Sequence, residues 1–105
     1  MPKRVDALDP VVLLCRAHKL PLPECEVRVV PNRRFRYDYY WRPQRVALEK
    51  NGGVFSQGRH VRGTGFLRDM EKLNLGQLAG DVILQATPQQ IRSGAILPLL
   101  REALR

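Results

Sequence analysis

The chain has 105 residues, 44% apolar and 27% charged, with a formal net charge of +8. This length suits one domain, 1–105, with one real core. No stretch approaches about 18 consecutive apolar residues, so no membrane-spanning helix is expected. The opening MPKRVDALDP lacks the apolar run of a secretory signal.

So basic a chain calls for a polyanionic partner, either nucleic acid or an anionic surface. Cys15 and Cys25 are the only cysteines. With no secretory signal they are expected as reduced thiols, and two are too few for a Cys-only zinc site. Cys15 falls in a core position, and the sequence leaves Cys25 open.

Asp9 before Pro10 is an N-cap followed by proline at the first helical position. Val11, Val12, Leu14 and Cys15 follow at helical spacing, which predicts a helix over 10–19. Leu20-Pro-Leu-Pro23 ends it. Residues 25–30 read as a strand, with Val27 and Val29 on one side and Glu26 and Arg28 on the other. Pro31-Asn32-Arg33 is a turn.

Two strand runs then form a hairpin around Arg42-Pro43-Gln44. In the first, Phe35, Tyr37, Tyr39 and Trp41 alternate with Arg34, Arg36, Asp38 and Tyr40. In the second, Val46 and Leu48 alternate with Arg45, Ala47 and Glu49. Alternation places one set in a core and the other, Tyr40 included, on a polar face. Asn51-Gly52-Gly53 breaks the pattern. A basic loop carrying Arg59, His60 and Arg62 follows.

Thr64 is placed to cap a helix over 65–79. Phe66, Met70 and Leu73 form its apolar stripe, with Leu67 and Leu78 at the borders. Gly80 stops it. Residues 81–87, DVILQAT, read as a buried fourth strand. Thr87-Pro88-Gln89-Gln90 is a capping box opening the last helix. That helix breaks near Ser93-Gly94 and resumes to Leu104, with Pro98 demanding a kink or a new start. The expected fold is α/β: a mixed four-stranded sheet flanked by helices, its first three strands antiparallel and its fourth reached by a helical crossover.

Glu26, Asp38 and Glu49 share the polar parity of their strands. Oxygen donors so grouped suit a hard divalent ion, Mg²⁺ or Mn²⁺. On spacing alone, three surface acids each paired with an arginine is the commoner arrangement. Arg34 and Arg36 beside these acids, and Arg59 and Arg62 after them, suit bidentate contact with phosphate. Tyr40, at the exposed parity, is a further candidate contact.

The blocks RRFRYDYYW, RVALEKNGG, GRH-RG-GF--DMEKLN and VILQATPQQI-SG, spread over most of the chain, resemble a compact phage and prophage branch of the PD-(D/E)XK nuclease superfamily. That branch is similar to very-short-patch-repair endonucleases and Holliday junction resolvases. The resemblance implies an αβββαβ(α) restriction-endonuclease-like core and a Mg²⁺-dependent DNA endonuclease in the cytoplasm of a bacterium or a phage-infected cell. It makes Asp38 and Glu49 the metal-binding acids and Glu26 an auxiliary ligand, with DNA as partner and a homodimer left open. The superfamily's lysine position holds Asn51 here, and an amide supplies neither charge nor proton. Lys72 on the following helix is the candidate replacement, and His60 the candidate general acid. Asn51 also supports an alternative: a catalytically weak or inactive nuclease-fold module that binds nucleic acid or a protein.

Overall fold

A computed structural model describes residues 6–29, 33–51 and 64–105. Arg59, His60 and Arg62 lie outside the described residues, as do Val30, Pro31 and the side chains of Thr64 and Phe66.

Helix α1 spans Pro10–Ala17. The Asp9 carboxylate accepts from the Val11 amide at 2.8 Å, and Pro10 stands in the first turn, as expected. Val11, Val12 and Cys15 are buried. The helix ends with Lys19 in the left-handed region at φ 58°, while the Leu20 amide donates to the Cys15 carbonyl at 2.8 Å. This is a Schellman closure with lysine where glycine is usual.

Strands β1 (Glu24–Val27), β2 (Tyr37–Trp41), β3 (Val46–Lys50) and β4 (Val82–Ala86) form one sheet in that order. β1/β2 and β2/β3 are antiparallel, and β3/β4 is parallel. Helix α2 (Thr64–Leu78) makes the crossover between β3 and β4. Helix α3 (Pro88–Ser93) starts on the predicted capping box: the Gln90 amide donates to Thr87 Oγ1, and the Thr87 amide to Gln90 Oε1. It stops at Gly94, φ 82°. Helix α4 (Leu97–Ala103) is a new start that puts Pro98 in the first turn, where a missing amide costs nothing.

Two layers cover the sheet. On one side Tyr39, Trp41 and Leu48 pack against Val11, Ile91 and Leu100 from the helices. Trp41 Nε1 donates to the Pro21 carbonyl at 2.7 Å, which satisfies the indole at the edge of that core. On the other side Val27, Tyr37, Tyr40 and Ala47 cluster beneath α2. Gly76 of α2 lies so close that a Cβ there would collide with the Tyr37 hydroxyl.

The aromatic alternation therefore breaks. Tyr37 was expected beside Tyr39 and Trp41, yet it faces α2 with Tyr40. The cause lies across the strand pair. Cys25 pairs with Tyr39 and Val27 with Tyr37, but Cys25 and Val27 sit in different cores. Glu26 between them has φ 52°. A left-handed residue interrupts the alternation of β1, and β2, paired with it, changes face at the same level, between Tyr39 and Tyr37.

Three further expectations are corrected. Tyr40 is buried, 3% exposed, so it offers nucleic acid no surface. β4 is not a buried strand; it forms an end of the sheet, and Val82 is 51% exposed. Met70, Leu67 and Leu78 of α2 face solvent, with Leu78 at 85%. The helix rests instead on Gly76 and the half-buried Leu73 and Leu75. Cys25 is buried like Cys15, and both are free thiols.

Candidate active site

β2 and β3 pair in register from Trp41↔Val46 to Tyr39↔Leu48. Beyond that point, side chains take over from the ladder. The Asp38 amide donates to Glu49 Oε2 at 2.8 Å, and the Lys50 amide donates to Asp38 Oδ2 at 2.8 Å. Each carboxylate thus reaches across to the backbone of the other strand. An amide donating to a carboxylate makes a strong, charge-assisted bond, so both acids are held firmly at this fork.

Lys72 comes down from α2 and contacts the second oxygen of Glu49. Its ammonium also donates to the Arg36 carbonyl at 3.3 Å. Glu49 is only 6% exposed. Burial pushes its carboxyl above the ordinary range, against the opposing pull of Lys72 and the Asp38 amide. Asp69, three positions earlier on the same helix, lies within reach of Lys72 by spacing, yet the structure carries the Lys72 charge into the sheet.

Asp38 lines a cavity of about 280 Å³ with Asp9, Cys25, Glu26, Tyr39 and Lys50. Glu26 and Asp38 therefore share one cavity, whereas Glu49 turns toward Lys72. Asp9 in this cavity is engaged as the α1 cap and as acceptor for the Tyr39 hydroxyl at 2.9 Å. Asn51 turns toward β4 and donates its side-chain amide to Gln85.

Among the described residues no group of three or more His, Cys, Asp or Glu is gathered tightly enough to hold a metal ion. The two hard carboxylates at the fork are linked through backbone amides and do not share a cavity: Asp38 opens beside Glu26, and Glu49 faces Lys72. One or two carboxylates completed by water is what Mg²⁺ normally takes from a protein, so these acids fit by donor type. Lys72 holds positive charge against Glu49 in the same place.

Arg34 and Arg36 are exposed and line a second cavity, of about 480 Å³. Its other walls are Arg33, Phe35 and, from α2, Arg68, Asp69, Glu71 and Lys72. Lys72 thus belongs both to this basic cavity and to Glu49. The spacing of Arg68 and Lys72, four apart, puts them on one face of α2; that Arg36 lies opposite is set by the fold and had no sequence signal.

One buried cluster was not foreseen. Asp81, just before β4, accepts from the Tyr37 hydroxyl at 3.0 Å and the Tyr40 hydroxyl at 2.8 Å, with Arg45 3.3 Å away. Read as the first residue of an apolar strand, it gave no hint of two tyrosine partners more than forty residues earlier.

Compared with protein-family models, curated proteins and solved structures, the chain finds no match in any of the three.

Proposed function

We propose that the chain is a metal-dependent DNA endonuclease on a restriction-endonuclease-like core, working in the cytoplasm where DNA is met. The observation that supports this reading is the fork between β2 and β3, where Glu49 accepts from the Asp38 amide and contacts Lys72 while Asp38 accepts from the Lys50 amide. The order of elements, with a parallel β4 reached through α2, is the one the nuclease resemblance implies.

In this reading Asp38 and Glu49 would hold Mg²⁺ or Mn²⁺, with Glu26 near Asp38 as an outer carboxylate. The ion, when bound, supplies an activated water and a counter-charge for the phosphate. Lys72 replaces the lysine missing at Asn51. It stands between Glu49 and the basic cavity, so its ammonium faces the phosphate that Arg34 and Arg36 hold. A fixed cation there favours the charge that builds as the phosphodiester is attacked. His60 remains the candidate proton donor to the leaving oxygen.

Incubation with plain, mismatched and branched DNA, with Mg²⁺ or Mn²⁺, tests the proposal. Cleavage should drop by about a thousandfold in Asp38→Ala and Glu49→Ala, the scale of losing a preorganised charge. Cutting that persists in either variant removes the reading.

A second reading has one specific observation behind it. Asn51 is tied to Gln85, and both Glu49 oxygens are engaged, by Lys72 and by the Asp38 amide. Such a site suits a module that binds DNA without cutting it. Salt-sensitive binding, no cleavage, and tolerance of Asp38→Asn would select it.

A further inference from the structure

The cavity between the segment 33–36 and α2 differs in make-up from the carboxylate fork beside it. Four arginines and a lysine line it against two carboxylates, and one of its walls is an aromatic ring, Phe35. Arg33 and Glu71 form an ion pair at 3.7 Å, both half exposed. Among the described residues the ion pairs involve Arg33, Arg42, Arg45, Lys72 and Arg105, and none involves Arg34, Arg36 or Arg68. Five cations against two carboxylates, one of them already paired with Arg33, leave the hollow with a net positive field. About 480 Å³ lies within the range of small-molecule pockets, enough for a nucleotide.

We infer that this cavity takes one unpaired nucleotide of the DNA strand, its base against Phe35 and its phosphates on Arg34, Arg36 and Arg68. This rests on the nuclease reading and specifies the substrate of that site. The argument is geometric. A paired duplex presents phosphates on a convex cylinder and keeps its bases stacked inside, so an aromatic ring within a concave basic wall finds no partner there. A splayed base does find one, because every base has a π face and stacking on an aromatic ring tolerates any sequence. Arginine suits the flanking phosphates by its planar fork of donors. Lys72 lines the same cavity and touches Glu49, so a nucleotide seated here brings its phosphate to the fork. The substrate class is then DNA with an unpaired strand next to the cut: a flap, a fork or a mismatch bubble.

The test is fluorescence anisotropy in chelator, so that binding is read without cutting. The probes are a labelled oligothymidylate, a blunt duplex and a forked duplex with a short unpaired arm. The single strand and the fork should bind about tenfold tighter than the blunt duplex, the scale of one base–aromatic stack. Phe35→Ala should remove that preference and leave duplex binding unchanged. Phe35→Leu, which keeps apolar volume without the ring face, should behave like alanine, and Phe35→Trp should retain the preference. Arg68→Ala should weaken every probe alike and reduce the salt slope by about one. Equal affinity for duplex and fork, or an equal loss on both in Phe35→Leu, overturns this inference and leaves the nuclease reading standing. Cleavage that survives Asp38→Ala overturns the nuclease reading instead, and binding to none of the three probes overturns both.

Discussion

On the α1 side of the sheet, Trp41, Leu48, Val11 and Leu100 close a hydrocarbon core. On the α2 side, the buried groups include Tyr37, Tyr40, Asp81 and Glu49, and the covering helix leaves Leu67, Met70 and Leu78 in solvent. The first side is held chiefly by apolar burial, which is non-directional and tolerates small shifts, with the polar tips of Trp41 and Tyr39 bonded at its margin. The second is held by directed bonds among polar groups, each of which must find its partner. The candidate site is joined to the second side through Lys72 and Glu49. A charged site needs fixed donors and fixed charge, and a purely apolar layer supplies neither. The fold therefore divides labour across one sheet four strands wide.

Substitutions that attack one side should sharpen this contrast. The largest effect is expected from Leu48→Ala, fully buried in the α1-side core. Denaturant unfolding should show a loss of about 2–5 kcal/mol, the transfer and cavity cost of a core leucine. DNA binding measured on the fraction that stays folded should be unchanged. Asp81→Asn should cost about 2 kcal/mol, because two tyrosine hydroxyls then compete for a single acceptor in a buried place. Asp81→Asn should also shift where the protein fails in alkali. Burial and the bond to Asp81 push the Tyr40 phenol up to about 12, and Tyr37 is raised for the same reasons. The folded state therefore keeps these protons above pH 10, where an unfolded tyrosine loses them. Stability should be level below pH 10 and fall as pH climbs toward 12. In the double variant Tyr37→Phe/Tyr40→Phe the fall should be shallower, which melts at several pH values would record.

The legible parts of the fold were those whose signals are local. Asp9-Pro10, Thr87-Pro88 with Gln90, and Gly94 are caps and stops, and each acts within a few residues of itself. Asp38, Glu49 and Lys72 were named from the sequence, but through the resemblance more than through spacing. What failed was face assignment. Alternation assumes an unbroken strand, and the left-handed Glu26 reverses it for Val27 and Tyr37 together. No residue type announces that reversal, because glycine or asparagine would be the usual occupant. The burial of Tyr40 was hidden for a second reason: its partner Asp81 lies 41 positions away. The exposure of β4 followed from its place at the end of the sheet, which strand composition does not encode.

Gly76 offers a smaller break in the contrast. Alanine is intrinsically better in a helix by about 1 kcal/mol. Here its Cβ would collide with the Tyr37 hydroxyl and stand 2.7 Å from Ile83 Cδ1. A hydroxyl at the end of a free side chain would move aside, but this one is bound to Asp81. Gly76→Ala should therefore destabilise by about 1–2 kcal/mol net, within the usual range for overpacking. Adding Tyr37→Phe removes the colliding oxygen, and the double variant should recover part of the loss. A thermodynamic cycle over the four proteins measures that coupling.

The smallest expected change in stability is at the site itself. Glu49 is a buried carboxylate whose protonated form the fold favours, since burial outweighs the help from Lys72. For such a group the folding contribution is present at low pH and fades as pH rises through its raised pKa. Glutamine mimics the protonated form and does not fade. Glu49→Gln should thus match the wild type within about 1 kcal/mol near pH 4 and gain on it as pH rises to 8, while cleavage is lost. Thermal melts across that range, alongside a cutting assay, check both halves. If the variant instead loses ground with rising pH, the Lys72–Glu49 pair is a net prop of the fold. The α2 side would then owe its charge to structure as much as to chemistry, and the contrast between the two faces would narrow accordingly.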